Sequence, residues 1–220
     1  MALHTLQRIR IVFRKGAEIK YISHLDLMRA WERALRRADM NLAYSRGFNP
    51  RPKLVFASAL PVGFTGCAEM VDITLERRMD LRHFASRLKA QLPSGLQLVS
   101  VSEVPSALPS LPSRVVAAEY EVLIESQDSP DAMQLRLDRL LAAESIPRRR
   151  ERPDGSRLYD LRPLIKELWI VGRRAEMWVV GMRLKAGGQG TGRPDEVMVA
   201  LGMAEAVRGI ERLRLLFSPA

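Results

Sequence analysis

Two spacings of apolar residues alternate along the first hundred positions of this 220-residue chain, and their order restricts the fold. "QRIRIVFRKG" alternates apolar and charged residues from Ile9 to Phe13, the period of a strand with one buried face. Ser23 then offers a helix N-cap, with Asp26 three residues on. From there "LDLMRAWERALRRA" sets Leu27, Met28, Trp31, Ala34, Leu35 and Ala38 on one helical stripe. Arg29, Arg33, Arg36 and Arg37 lie off it, and Glu32 is spaced to pair with Arg36. "KLVFASAL" and "MVDITLE" read as strands joined by "PVGFTGCAE". "LRHFASRLKAQLP" carries Leu81, Phe84, Leu88 and Leu92 at helical spacing and stops at "PSG", before a strand in "LQLVSVSEV". The order strand, helix, strand, strand, helix, strand is that of the split βαβ, or ferredoxin-like, unit: a four-stranded antiparallel sheet backed by two helices.

The uncharged "PSALPSLPS" follows, and a linker is expected over residues 106–117, between subdomains at 1–105 and 118–220. The pattern then recurs. "AAEYEVLIES" is a strand, and a helix starts at Ser129 with Pro130 in its first position. "SIPRRRERPDGSRLYDL" places a Pro-Asp-Gly turn between two basic arms. "IKELWIVG" and "AEMWVVGMRLK" pair as a hairpin, "GRPDEVMVALGM" is a short helix and "IERLRLLF" a last strand. The expected fold class is α+β: two tandem ferredoxin-like (βαββαβ) subdomains with antiparallel sheets, the second with an extra β-hairpin.

Charge narrows the partner. The formal net charge is +10, and residues 1–60 hold twelve Lys or Arg against four Asp or Glu, so almost all of the excess sits there. A local basic field attracts polyanions. The single cysteine, Cys67, excludes an internal disulfide and any CxxC site, and is expected to be a buried thiol. The residues imply no metal and no cofactor. No apolar run approaches the ~20 residues of a membrane span and the start lacks an apolar signal core, so no membrane role and a cytoplasmic location are expected.

Catalytic candidates are few. His4 lies near the start and His83 on an exposed helix face. His24, beside Ser23 and Asp26, is the one candidate catalytic residue, as a general base. Its alternative is local packing at a helix start. "AGGQGTGRPDE" is glycine-rich but lacks GxxxxGK[ST] and GxGxxG, and reads as a connecting loop.

The stretch "YSRGFNPRPKLVFASALPVG" is more informative. Gly47 permits positive φ, while Pro50 and Pro52 stiffen an extended chain. Phe48 either inserts into the core or stands out as a stacking platform, and Asn49 either reads a base edge or closes an Asx-turn. Arg46, Arg51 and Lys53 add charge. Basic residues around an aromatic suit single-stranded RNA, which is held by phosphate pairing and stacking. With Arg29, Arg33 and Arg36 on the preceding helix, they form the candidate nucleic-acid-binding set. Arg148, Arg149, Arg150 and Arg152 form a secondary basic cluster.

The run "YISHLDLMRAWERALRRADMNLAYSRGFNPRPKLVFASALPVG", with "AEMVDITLE", "DLRPLI" and "GRPDEVMVAL", resembles the radical SAM-linked bacterial protein family of unknown function. The specific segments are "SHLDLMR" and "GFNPRPK", which hold Ser23, His24, Asp26, Gly47 and Pro50. The chain has no CxxxCxxC for an iron–sulfur cluster and looks like the free-standing form of the family. Its end, "IERLRLLFSPA", departs from the family pattern near Ile210. The resemblance implies a radical SAM protein as partner. Paired ferredoxin-like halves also occur in CRISPR repeat-processing RNA endonucleases, an analogy of fold. The expected function is an RNA-binding accessory module working with a radical SAM enzyme in RNA modification or processing. The alternatives are a docking adaptor for that enzyme, with an exposed apolar patch around Phe48 and Phe64, and an endoribonuclease using His24.

Overall fold

The computed structural model describes residues 6–105, 107–152 and 155–219, the side chains of 151 and 152 excepted. His4, the Arg152 side chain and the first two residues of the expected Pro-Asp-Gly turn therefore lie outside the described residues. The chain divides into two compact units, Met1–Val115 with Ser218–Ala220, and Val116–Phe217.

In the first unit, β1 (Gln7–Lys15) buries Ile9, Ile11 and Phe13 completely on one face. A short 3-10 turn (Ala17–Ile19) leads to α1 (His24–Arg37). Ser23 Oγ accepts from the Asp26 backbone N–H at 3.1 Å and its hydroxyl donates to Asp26 Oδ2 at 2.7 Å, so a donor orphaned by the helix start is satisfied. The hydroxyl bond from Ser23 is also the main reason that the Asp26 carboxyl titrates below its ordinary 3.8. The stripe buries Leu27, Trp31, Ala34 and Leu35. Trp31 meets Phe13 edge-on with ring centres 4.8 Å apart, and Phe13 meets Phe56 at 6.2 Å. Such pairs add ~0.5–1.5 kcal/mol each beyond their burial.

β2 (Leu54–Phe56) and β3 (Thr65–Leu75) follow, then α2 (Leu81–Lys89), capped by Asp80, and β4 (Leu96–Val104). The hydrogen-bonded order is β4-β1-β3, with β2 also on β3, and the pairs β1–β3, β1–β4 and β2–β3 are antiparallel. β3 begins well before the expected Met70, because Gly66 and Glu69 pair across to Lys15 and Phe13 of β1. The other face of β1 carries Arg8 and Arg10, which clamp the buried Asp72 at 2.6 Å and 2.8 Å. Arg8 also donates to the carbonyls of Leu108 and Pro109, at 2.6 Å and 3.1 Å, and so ties residues 108–109 to the sheet. Within the segment 106–117, the described residues hold a short helix, α3 (Leu111–Arg114), whose Leu111 is fully buried.

The second unit is built from β5 (Val115–Glu125), α4 (Pro130–Ala142), β6 (Pro147–Arg152), β7 (Gly155–Asp160), β8 (Ile165–Arg174), β9 (Met177–Lys185), α5 (Pro194–Ala200) and β10 (Val207–Phe217). Its main strands run in the order β10-β5-β9-β8, and β6 pairs β7 in a separate two-stranded sheet. Ser129 Oγ accepts from the Ala132 N–H at 3.2 Å to cap α4. Gly181 lies under Trp169, its partner in the register, where any Cβ would run into the indole. Glu119 is buried and held by Arg183 at 2.8 Å and Arg214 at 2.6 Å, and the bond from Arg214 is the main reason its carboxyl titrates below the ordinary 4.5. The described residues thus form a mixed α+β chain with five α-helices. None of those helices is long and apolar enough to cross a membrane.

Candidate nucleic-acid interface

The loop before β2 is a closed structure with an open tip. Its base rests on β3: the Ala43 N–H donates to Thr74 O at 2.8 Å, the Thr74 N–H to Lys53 O at 3.2 Å, and the Lys53 N–H to Ala43 O at 2.8 Å. Above it, Tyr44 bridges Pro52, the Ser45 N–H donates to Arg51 O at 2.8 Å, and the Arg51 N–H to Ser45 Oγ at 3.0 Å. The tip from Arg46 to Pro50 turns at Gly47, whose φ of 147° side chains rarely permit. Of the two places open to Phe48, the structure shows the second: its relative exposure is 106%, full contact with solvent. Burying such a ring would return ~1.5–3 kcal/mol, so the fold forgoes that stabilisation here. Asn49 is also exposed, and among the described residues its side chain closes no Asx-turn.

Most of the candidate charges on the loop and on α1 are not neutralised. Among the described residues, the side chains of Arg33, Arg36, Arg46, Arg51 and Lys53 make neither an ion pair nor a hydrogen bond. The expected Glu32–Arg36 pair does not form, although the helical spacing allows it; an exposed pair gains little against side-chain entropy. Arg29 is exposed and shares Asp26 at 3.1 Å. Arg29, Arg33 and Arg36 recur at i, i+4 and i+7, one face of α1. Arg37, four residues on from Arg33, borders that face but is structural: it donates to Gln91 O at 2.7 Å. In contrast, Arg136, Arg174, Arg183, Arg193, Arg208 and Arg214 of the second unit all pair with carboxylates.

Other expectations change. Phe64 is buried and belongs to no exposed patch with Phe48. Cys67 is half-buried rather than enclosed, with an Arg14 guanidinium nitrogen 3.8 Å from its sulfur, because β3 extends far enough to place it beside β1. The half-buried His24 packs its ring edge-on against Phe56, with ring centres 5.3 Å apart. Among the described residues, no group of His, Cys, Asp or Glu is arranged to hold a metal.

The secondary basic cluster lies on β6 in the second unit, and strand alternation splits it. Arg148 pairs with Glu196 at 2.8 Å, Arg149 is exposed, and the Arg150 guanidinium lies 4.9 Å from the Tyr159 ring centre. Next to Arg150 is a cavity of about 270 Å³ that no sequence pattern pointed to. Burial raises the Tyr159 hydroxyl above its ordinary 10.0, followed by the Glu196 charge, so it stays protonated at neutral pH.

A family model described as "uncharacterized protein conserved in bacteria (DUF2344)" matches residues 8–194. No curated protein matches the chain. Among solved structures, a chain from the crystal structure of a Cbf5-Nop10-Gar1 complex is similar with a TM-score of 0.52 and 10% identity, over 95% of this chain and 48% of that one. This chain therefore spans about half the length of that structure, and the likeness is one of fold. Thermus thermophilus Cse3, solved bound to an RNA representing a pre-cleavage complex, matches at 15% identity over 95% and 99% of the two chains, with a TM-score of 0.20.

Proposed function

We propose, for a chain that belongs to this uncharacterized bacterial family, an RNA-binding accessory module that engages single-stranded RNA through the α1 arginines and the 46–53 loop. One observation carries the reading: a wholly exposed Phe48 held on a cross-bonded loop between arginines that no carboxylate neutralises. Stacking on such a ring tolerates any base, and guanidinium groups pair with phosphate. Arg29, Arg33, Arg36, Arg46, Arg51 and Lys53 take the phosphates; Phe48 and Asn49 meet a base. A radical SAM protein is the partner class that the sequence resemblance implies, with RNA modification or processing as the setting. The same reading takes the two units as tandem ferredoxin-like repeats. The order β4-β1-β3, with β2 also on β3, and the order β10-β5-β9-β8 support it, since both set the first strand of the unit between its last and its last but one.

The test is fluorescence anisotropy with a labelled, unstructured RNA across a salt series. Phe48→Ala is expected to weaken binding by ~1–3 kcal/mol without changing the salt slope. Arg33→Gln or Arg46→Gln is expected to flatten that slope by about 0.7 each. Binding that ignores salt, or a Phe48→Ala protein of unchanged affinity, refutes the reading. A docking adaptor is the second reading, favoured by Phe48 and the 61% exposed Leu25. It predicts capture of the radical SAM protein that survives nuclease and is lost in Phe48→Ala.

A further inference from the structure

The cavity beside the β6–β7 hairpin has a lining that suits an anion. Arg150 and Arg157 face one another directly across the two strands. Like charges in that position repel. Both line the cavity, and neither makes an ion pair among the described residues. Arg150 lies against Tyr159 and makes a long 3.5 Å contact to Thr191 O, and among the described residues its buried Nε has no hydrogen-bond partner. Buried donors without protein acceptors are rare in folded proteins, and a bound ligand is one way to satisfy them. The rest of the lining suits a larger molecule than a bare anion. Leu164 and the Tyr159 ring give an apolar wall, while Asp160 and Thr191 add polar groups. At about 270 Å³ the space equals the liquid share of roughly nine waters.

We propose that this cavity of the second unit binds a nucleoside monophosphate group, its phosphate between Arg150 and Arg157. Two guanidinium forks match the oxygens of a phosphate dianion, and the dianion cancels the repulsion across the hairpin. The sugar and base lie against Leu164 and Tyr159, with Asp160 accepting from a ribose hydroxyl. The "AGGQGTG" stretch, which carries no phosphate-loop signature, takes part through Gly190 and Thr191 as cavity wall. The group has two possible sources, a free mononucleotide or the phosphorylated end of an RNA strand. The site uses none of the residues assigned to RNA binding above, so either proposal can fail while the other stands.

Calorimetry and thermal melts of the full chain test it. The probes are the four ribonucleoside monophosphates, the matching nucleosides, inorganic phosphate, and a short RNA with and without a 5′-phosphate. Saturable binding of at least one monophosphate is expected, tighter than its nucleoside and than inorganic phosphate. Alternatively, the 5′-phosphorylated RNA alone binds tighter than its unphosphorylated form, which assigns the source to a strand end. Arg157→Ala is expected to weaken the bound form about tenfold or more. Because Arg157 is exposed, the variant keeps its fold, and it should melt no lower than the parent without ligand, since a repulsion is removed. Arg46→Gln should leave free-mononucleotide binding unchanged. The proposal is overturned if no phosphorylated probe binds better than its unphosphorylated form, if inorganic phosphate binds as well as every nucleotide, or if Arg157→Ala binds like the parent.

Discussion

Asp160 Oδ1 accepts two backbone N–H groups, from Ile146 at 2.8 Å and Arg162 at 2.9 Å. Those bonds, the Ile146 one first, hold its carboxyl below the ordinary 3.8. A lowered folded value means stability that is present above the unfolded value and lost as pH falls through the folded one. Asp160→Asn keeps an oxygen for both donors and has no charge to lose. The two proteins should therefore differ in melting temperature near neutrality, and the gap should close as pH falls below about 4. A gap that stays constant would show that the charge adds nothing to the two bonds. Other residues teach how far single positions can be read. Ser23 was legible as a cap because its role is local. Phe48 was not: between two turn-forming runs it has no periodic neighbours, so only the loop's cross-bonds to β3 decide that it points outward. Glu32 and Arg36 have ideal spacing and still do not meet, since spacing sets an opportunity and solvent sets the gain.

At the scale of elements, α1 ends in a turn that asks for glycine and has aspartate. Asp39 has φ 52°, its N–H donates to Arg36 O at 2.9 Å, and the Met40 N–H reaches back to Leu35 O at 3.1 Å, a Schellman arrangement. The turn directs the chain from the arginine face of α1 into the base of the loop. Asp39→Gly and Asp39→Ala both remove the 3.0 Å pair with Arg87, in which Asp39 is largely exposed. They differ in the cost of the left-handed conformation, so urea denaturation should find the glycine variant about 1 kcal/mol more stable than the alanine variant. Equal stabilities would mean that the turn relaxes when its side chain changes. The elements easiest to read, β1 and α1, pair a strong period with local signals at their ends. The first half of β3 was hidden because Gly66, Cys67, Ala68 and Glu69 show no alternation; pairing with β1, far away in sequence, makes them strand. Leu111 was hidden among prolines and serines, yet its complete burial fixes a helical turn where composition suggested a plain linker.

Across the whole molecule the decisive quantity is where positive charge remains after pairing. Composition showed the excess in residues 1–60, and ion pairing sharpens the contrast, because many arginines of the second unit spend their charge on nearby carboxylates. The unit 2 cavity stayed illegible for the opposite reason: Arg150, Arg157 and Thr191 come from separate segments, and no local spacing links them. Two fourfold variants separate location from total charge. Arg33, Arg36, Arg46 and Arg51 changed to Gln strip the proposed RNA surface; Arg136, Arg173, Arg174 and Arg208 changed to Gln remove the same four charges from the net +10 at paired sites. Each phosphate contact contributes about 0.7 to the salt slope on a single strand, so the first variant should lose roughly 3 units of slope and the second almost none. Equal losses would mean that RNA answers only to net charge, and the loop and helix would then have no claim to be an interface. A loss confined to the first variant, with Phe48 intact, would leave a protein that still stacks on a base but no longer holds the strand beside it.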